Sequence, residues 1–389
     1  MMGSESSVIK EVPFGRPMIG EAEKDAVVQA MSSPQLVHGP RIHEFEDAFA
    51  AMLGPDAYAT SVSSCTAGLH LSYLHLGVGP GDEVIVPAQT HVATAHAVEV
   101  TGARPVFVDC DESGNIDVTR IADHVTDRTK AICVVHYPGL PVVMDAVSAI
   151  ASQKGLAVVE DCALAIGASL DDVSCGLLGD LGSFSFYPVK HMTTGEGGMV
   201  VSRDPDKIAS IASLKAFGYD RSAAARSISG VYDIARLGIN YRMSEMAAAI
   251  GMVQLGRVNG FALQRETNAR ALREGLAGIE GVRLLPDGDA RRQHANYCLV
   301  AVLDTGLIQH RNSIVLRMKE MGVGTSVYYP VPLPLSTYYR DRYSPDPDAF
   351  PNAKLISEGS IALPIGPHLS SEDMAIVVES ISLAVKEVK

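Results

Sequence analysis

Between Tyr58 and Ser202, short β-rich runs alternate with segments of helical periodicity, and few folds accommodate that order. SVSSC (61–65) leads into a helical pattern over 66–77 and EVIVP (83–87) into one over 90–100. PVFVD (105–109) follows, and AICVVH (131–136) precedes a helix over 142–153. LAVVE (156–160), SFSFY (183–187) and GMVVS (198–202) complete the series. Strands separated by helices predict an α/β fold with a mostly parallel sheet, which receives ligands outside the carboxyl ends of its strands. Several reactive side chains fall at such ends: Ser64 and Thr66, His91, Asp161, Ser185 and Lys190.

Helical spacing also predicts helices over 21–31 and 41–53, a loop GINYRM (238–243) entering a helix near Ser244, and a long helix through Leu263 and Ala271. Beyond these come strand-like runs YCLVAVL (297–303) and TSVYYPV (325–331) and helices over 308–321 and 371–387. At 389 residues the chain exceeds what one core usually supports. It divides into a large domain, residues 1–258, and a smaller α+β domain, 259–389, joined through a continuous helix.

Lys190 lies in SFSFYPVKHMTTGEGGMVVS, fenced by Pro188, two threonines and Gly195, Gly197 and Gly198. Such a loop lets backbone approach a ligand closely. A lysine, an aspartate, a flat ring and a set of hydroxyl and amide donors at one sheet edge suit pyridoxal phosphate. The lysine forms a Schiff base, the aspartate pairs with the pyridinium nitrogen, and the ring covers the cofactor. Ser64, Cys65, Thr66 and Ala67 open a helix whose amides favour an anion, and Ser185 adds a hydroxyl. Each residue has a plainer reading. Asp161 and Thr66 could cap helices, and His91 could be an ordinary helix-start histidine. GEGG (195–198) precedes a strand, so it is no dinucleotide fingerprint. Asp109, Asp111 and Glu112 read as a solvated turn, and no metal is assigned.

The net charge of −13 disfavours nucleic acid and anionic membranes as partners. No apolar run reaches the roughly 18 residues of a membrane span. Six cysteines without CxxC spacing and an N-terminus without a secretory pattern fit a cytoplasmic protein.

The stretches SSCTAGLHL, GPGDEVIVPAQTHVATAHAV, VEDCALAIGA, GDLGSFSFYPVKHMTTGEGGMV, GINYRMSEMAAAIGMVQL and ALPIGPHLS resemble the DegT/StrS family of sugar aminotransferases. The likeness covers nearly the whole chain. It implies the fold-type I aminotransferase architecture with a seven-stranded sheet, a homodimer with shared sites, and pyridoxal 5′-phosphate that alternates with pyridoxamine phosphate. It also implies Lys190 as Schiff-base lysine and Asp161 as partner of the ring nitrogen. Ser64, Thr66, Ala67 and Ser185 then hold phosphate, Asn240 reaches the phosphate of the other subunit, and His91 stacks where many members carry an aromatic ring. Tyr328, Tyr329 and Arg242 would line the substrate side. Leu164 stands where members often carry Gln, Glu or His near the phenolic oxygen, so that contact is missing. The segment after Tyr329 lacks the histidines of many nucleotide-sugar members.

The resulting expectation is transfer of an amino group from L-glutamate or L-glutamine to a keto-sugar, nucleotide-linked, with Lys215, Arg221, Arg226, Arg236 and Arg242 available for a diphosphate. Three alternatives stand beside it. One is a dehydratase, whose YPxHH pattern differs from YPVKH here in the first of its two histidines. Another is an aminotransferase acting on a non-nucleotide keto-sugar or keto-cyclitol. The third is a cofactor-bearing regulator.

Overall fold

The computed structural model describes residues 10–220, 228 and 230–389. Its strands are β1 (Tyr58–Val62), β2 (Glu83–Pro87), β3 (Arg104–Val108), β4 (Thr129–Val135), β5 (Ala157–Asp161), β6 (Ser169–Leu170), β7 (Val173–Ser174), β8 (Leu181–Ser185), β9 (Gly198–Ser202), β10 (Val282–Leu284), β11 (Arg292–Gln293), β12 (Leu299–Leu303) and β13 (Ser360–Leu363). Seven of them form one sheet in the order β1-β9-β8-β5-β4-β2-β3. Only β9 runs against its neighbours, so β1, β2, β5 and β8 all end at the same edge. There Asp161 pairs with Ser183, and Gly198 pairs with both Ser185 and Val62.

The alternation along each strand explains how both faces are buried. Val84 and Val86 of β2, with Ala131, Cys133 and Val135 of β4, enter one apolar core, while Ile85, Ile132 and Val134 enter another. Helices α1 (Glu21–Met31), α2 (Pro40–Leu53), α3 (Cys65–His75), α4 (Val92–Glu99), α5 (Met144–Lys154) and α6 (Pro205–Leu214) belong to this part of the chain. The rest carries α7 (Glu245–Leu255), α8 (Val258–Leu276), α9 (Arg311–Glu320), α10 (Thr337–Tyr343), α11 (Pro351–Gly359) and α12 (Ser371–Val388). A three-stranded sheet β10-β12-β13 packs with α8, α9 and α12 around Leu272, Ile314, Met318, Val377 and Ile381. Val300 and Val302 of β12 and Ala362 of β13 point instead into the core of the large sheet, so these two strands join the two cores.

Four expectations change. The first strand runs from Tyr58 and ends at Val62, since Ser64 already caps α3 and so takes the end of SVSSC out of the sheet. TSVYYPV contributes only an isolated bridge at Ser326, since side chains of Gln89 and Tyr137 take the Tyr328 carbonyl and Pro330 offers no N–H. The helix proposed to run unbroken through residue 258 bends by 57° between α7 and α8, with Gly256 at the break. The acidic turn is not solvated at Asp109, whose buried carboxylate accepts the N–H groups of Asn352 and Ala353 at the start of α11. No single helix among the described residues is long and apolar enough to cross a membrane.

Candidate active site

Helix α3 starts at the sheet edge because Ser64 is its N-cap, the hydroxyl accepting the Ala67 N–H at 3.1 Å. The first-turn N–H groups of Cys65 and Thr66 have no acceptor within the helix and, with the dipole, favour an anion. Gly198 makes this approach possible: a Cβ there would lie 2.7 Å from the Cys65 nitrogen and from the Ser64 carbonyl carbon. Ser185 is buried one ladder step away, so Ser64, Thr66, Ala67 and Ser185 gather around the N-terminus of α3. With the Ala67 N–H taken by Ser64, the N–H groups of Cys65 and Thr66 and the hydroxyls of Ser64, Thr66 and Ser185 form a donor set that fits a phosphate.

Asp161 ends β5 and is buried. No helix follows it, so the capping role does not apply. Its Oδ1 accepts the Ala163 N–H at 3.1 Å and faces the Cys65 thiol at 3.7 Å, and its Oδ2 accepts the Thr94 hydroxyl at 2.7 Å. Thr94 lies on α4, in the segment PAQTHVATAHAV that also holds His91, yet nothing in its sequence setting marks it.

Lys190 closes a turn in which its N–H meets the Tyr187 carbonyl at 2.9 Å, with Pro188 at the turn's second position. Phe186 anchors the loop among Phe45 and Phe49, with ring centroids 5.4 and 5.5 Å away. The half-buried Lys190 ammonium lies 4.8 Å from the centre of the Tyr297 ring. Burial pushes the Lys190 pKa below 10.5, against the pull of the Asp161 carboxylate. An amine held this way is a proton carrier as well as a nucleophile. Tyr297 was not a candidate from the sequence. His191 turns away and donates from Nε2 to the Ala295 carbonyl at 2.9 Å.

His91 takes the helix-start role that the sequence allowed. Its Nδ1 caps α4 by accepting the Ala93 N–H at 3.2 Å, and its ring lies 5.8 Å from that of Tyr329. Tyr329 also meets Tyr137, while the Tyr328 hydroxyl pairs with that of Tyr297 at 3.1 Å. Tyr328 and Tyr329 therefore border Lys190 and His91 while packing against the core. Leu164 is buried in that core.

Asn240 and Arg242 stand apart from this group. Asn240 is exposed and bridges to Ala216, next to Tyr241, whose carbonyl accepts the Ser63 N–H at 2.8 Å. Arg242 lies on the Phe217 ring and against His38, lining a cavity of about 860 Å³ on whose wall neither Lys190 nor Asp161 appears. Of the other cations, Lys215 is committed to Glu46 at 2.9 Å, Thr60 and the Ser61 carbonyl. Burial acts to raise the Glu46 pKa, but the Lys215 charge and the surrounding donors hold it at about 2. Arg236 donates to Ser210 beside the same cavity, and Arg221 and Arg226 lie outside the described residues.

The sequence profile of the DegT/DnrJ/EryC1/StrS aminotransferase family matches residues 17–382. The chain is 34% identical over 383 residues to the spore coat polysaccharide biosynthesis protein SpsC of Bacillus subtilis, spanning 96% of this chain and 97% of SpsC. Its structure is similar to that of the aminotransferase TlmJ of Streptoalloteichus hindustanus, with 33% identity and a TM-score of 0.89 over 98% of this chain and all of TlmJ. It is also similar to Spr1654 of Streptococcus pneumoniae, a candidate sugar aminotransferase solved in PLP and PMP forms. The PMP form is 28% identical, with a TM-score of 0.92 over 97% of this chain and all of Spr1654.

Proposed function

The chain belongs to the DegT/DnrJ/EryC1/StrS aminotransferase family and is a pyridoxal-phosphate-dependent sugar aminotransferase of the fold-type I architecture. From that premise we propose that it aminates a nucleotide-linked keto-deoxyhexose, with L-glutamate or L-glutamine as donor, in a ping-pong cycle. The observation that supports the reading is that Asp161, the last residue of β5, and Lys190, past the end of its parallel neighbour β8, lie at the sheet edge from which α3 starts.

When bound, pyridoxal 5′-phosphate supplies the electron sink and carries nitrogen from donor to acceptor. Lys190 Nζ anchors the cofactor between turnovers and, once released, takes the proton from the donor Cα. In the return half-reaction it delivers a proton to the sugar carbon that receives nitrogen. Burial lowers its pKa and so makes the neutral amine more accessible for both roles. Asp161 would pair with the ring nitrogen, His91 would cover the ring, and Ser64, Thr66, Ala67 and Ser185 would hold the phosphate. Tyr328 and Tyr329 shape the acceptor side.

Exposed Asn240, next to Tyr241, whose carbonyl accepts the N–H of Ser63 just before the cradle, supports a homodimer in which Asn240 and Arg242 of one subunit complete the site of the other. The apolar surface nearby, with Val231, Ile234 and Leu237 at 60, 63 and 87% exposure, suits a second copy. A cytoplasmic location and a domain boundary at residue 258 belong to the same proposal. Lys190, standing where the dehydratase pattern carries its first histidine, speaks against the dehydratase reading.

Labelled glutamate and a panel of nucleotide-linked keto-sugars test the assignment. An amino sugar carrying the donor's nitrogen is expected, and a deoxy-ketone that never acquires the label would refute it.

A further inference from the structure

Thr90, Thr94 and Asp161 form a short line of hydrogen bonds that the reaction scheme above does not use. Thr94 Oγ1 lies 2.7 Å from Asp161 Oδ2 and 2.7 Å from Thr90 Oγ1, and both threonines are buried, at 0 and 2% exposure. A hydroxyl has one proton to donate, and an ionised carboxylate can only accept. Thr94 therefore gives its proton to Asp161, and Thr90 must give its own to Thr94. The direction of the relay is fixed as Thr90 to Thr94 to Asp161.

The carboxylate has about four lone-pair directions. On Oδ1, the Ala163 N–H takes one and the Cys65 sulfur, whose one proton lies closer to the Ser183 carbonyl at 3.3 Å, crowds another; Thr94 takes one on Oδ2. A single direction on Oδ2 remains for a ligand. We propose that Thr94, backed by Thr90, is a positioning residue for the amino transfer: it fixes the Asp161 carboxylate so that the open lone pair meets the cofactor's ring nitrogen, and it keeps their shared proton on the ring. Donors to a carboxylate favour its charged form, and neighbouring hydrogen bonds reinforce one another in a buried chain. Without the relay the proton moves toward Asp161, and the ring becomes a weaker electron sink. This inference rests on the assignment of Asp161 as partner of the ring nitrogen.

The test uses holoenzyme reconstituted with pyridoxal phosphate carrying ¹⁵N in the ring and reads the nitrogen chemical shift. Wild type should show the protonated value. Thr94→Val should move the shift toward the unprotonated value and lower kcat about tenfold, the lower end of what loss of an orienting partner costs at metal sites. Thr94→Ser should restore both, and Thr90→Val should produce a smaller displacement in the same direction. Asp161→Asn serves as the reference. If Asp161→Asn moves the shift and Thr94→Val does not, the relay proposal falls while the Asp161 assignment stands. If Asp161→Asn leaves the shift at the wild-type value, the assignment falls and takes the relay with it. Should Thr94→Val fail to fold, Thr90→Val decides: a wild-type shift overturns the relay and a displaced one supports it.

Discussion

Glu160 and Asp161 are consecutive residues of β5, both buried carboxylates, and they face opposite sides of the sheet. Glu160 is filled. Its Oε1 accepts the N–H groups of Leu178 and Gly179 at 2.8 and 2.6 Å, and its Oε2 accepts Gly176 N–H at 2.7 Å and His136 Nε2 at 2.9 Å. The other nitrogen of His136 accepts the Val142 N–H at 3.1 Å. His136, Glu160 and Cys175 cluster tightly enough to resemble a metal triad, yet the histidine and the carboxylate have already given their lone pairs to the protein's own donors. Asp161 has fewer donors, and with only the Thr94 hydroxyl on its Oδ2 it keeps one direction open. Burial alone does not distinguish a structural carboxylate from a functional one; the unfilled lone pair does.

The comparison is tested most severely at the group on the open side. Lys190→Ala should lower turnover by about 10⁴-fold or more, because nucleophile and proton carrier vanish together. Borohydride reduction followed by peptide mapping should find the cofactor on Lys190 in the wild type, and attachment at another lysine would remove Asp161 from the active site as well. Asp161→Asn comes next, with a loss of about 10²–10³-fold and a nearly unchanged melting temperature. The amide retains an oxygen for the Ala163 N–H but cannot hold the ring nitrogen protonated. Near-normal turnover would make Asp161 a second Glu160.

Glu160→Gln should give the converse result. One amide arm cannot accept the N–H groups that the lost oxygen received, so stability should fall by about 3 kcal/mol while kcat, measured well below the melting temperature, stays within about threefold of wild type. Thermal denaturation and steady-state kinetics on the same preparation separate the two effects. A catalytic loss without a stability loss would erase the distinction between the two faces.

The two faces also differ in how much could be read beforehand. Lys190, Asp161, Ser64 and Ser185 were legible because each stands at or just past a β-rich run, where parallel strands deliver side chains to one edge. Thr94 and Tyr297 were not. A threonine inside a helix and a tyrosine before a strand carry no local mark, and their importance comes from contacts with Asp161, 67 residues away, and with Lys190. Lys215 failed in the opposite direction, as a cation whose charge is consumed by Glu46, 169 residues away. The TSVYYPV strand failed because side chains claimed its backbone carbonyl. Periodicity reports which face a residue takes, whereas the filling of lone pairs is decided by residues distant in sequence.

The smallest expected effect concerns His91, the one candidate on the open side whose charge changes near physiological pH. In the neutral ring Nδ1 accepts the Ala93 N–H, which leaves the proton on Nε2. Although part of the ring is open to the site, the surrounding protein pushes its pKa below 6.5, with Lys190 adding to that effect and Asp161 opposing it. Because the folded pKa is depressed, the stability contributed by the neutral form is intact above about 6.5 and declines as pH falls through the lower folded value. Protonation at Nδ1 also breaks the cap, at a cost of about 1 kcal/mol. Cofactor retention by the wild type should accordingly weaken severalfold on the acid side of 6.5, whereas His91→Phe, which keeps a stacking ring but cannot titrate, should show a flat profile. His91→Asn keeps a capping oxygen without the ring, so it should retain the thermal stability of the wild type but bind cofactor more weakly at every pH. Cofactor dissociation followed by absorbance across the acid range reads all three proteins. An acid limb that survives in His91→Phe would assign the titration to another group and leave His91 only the cap.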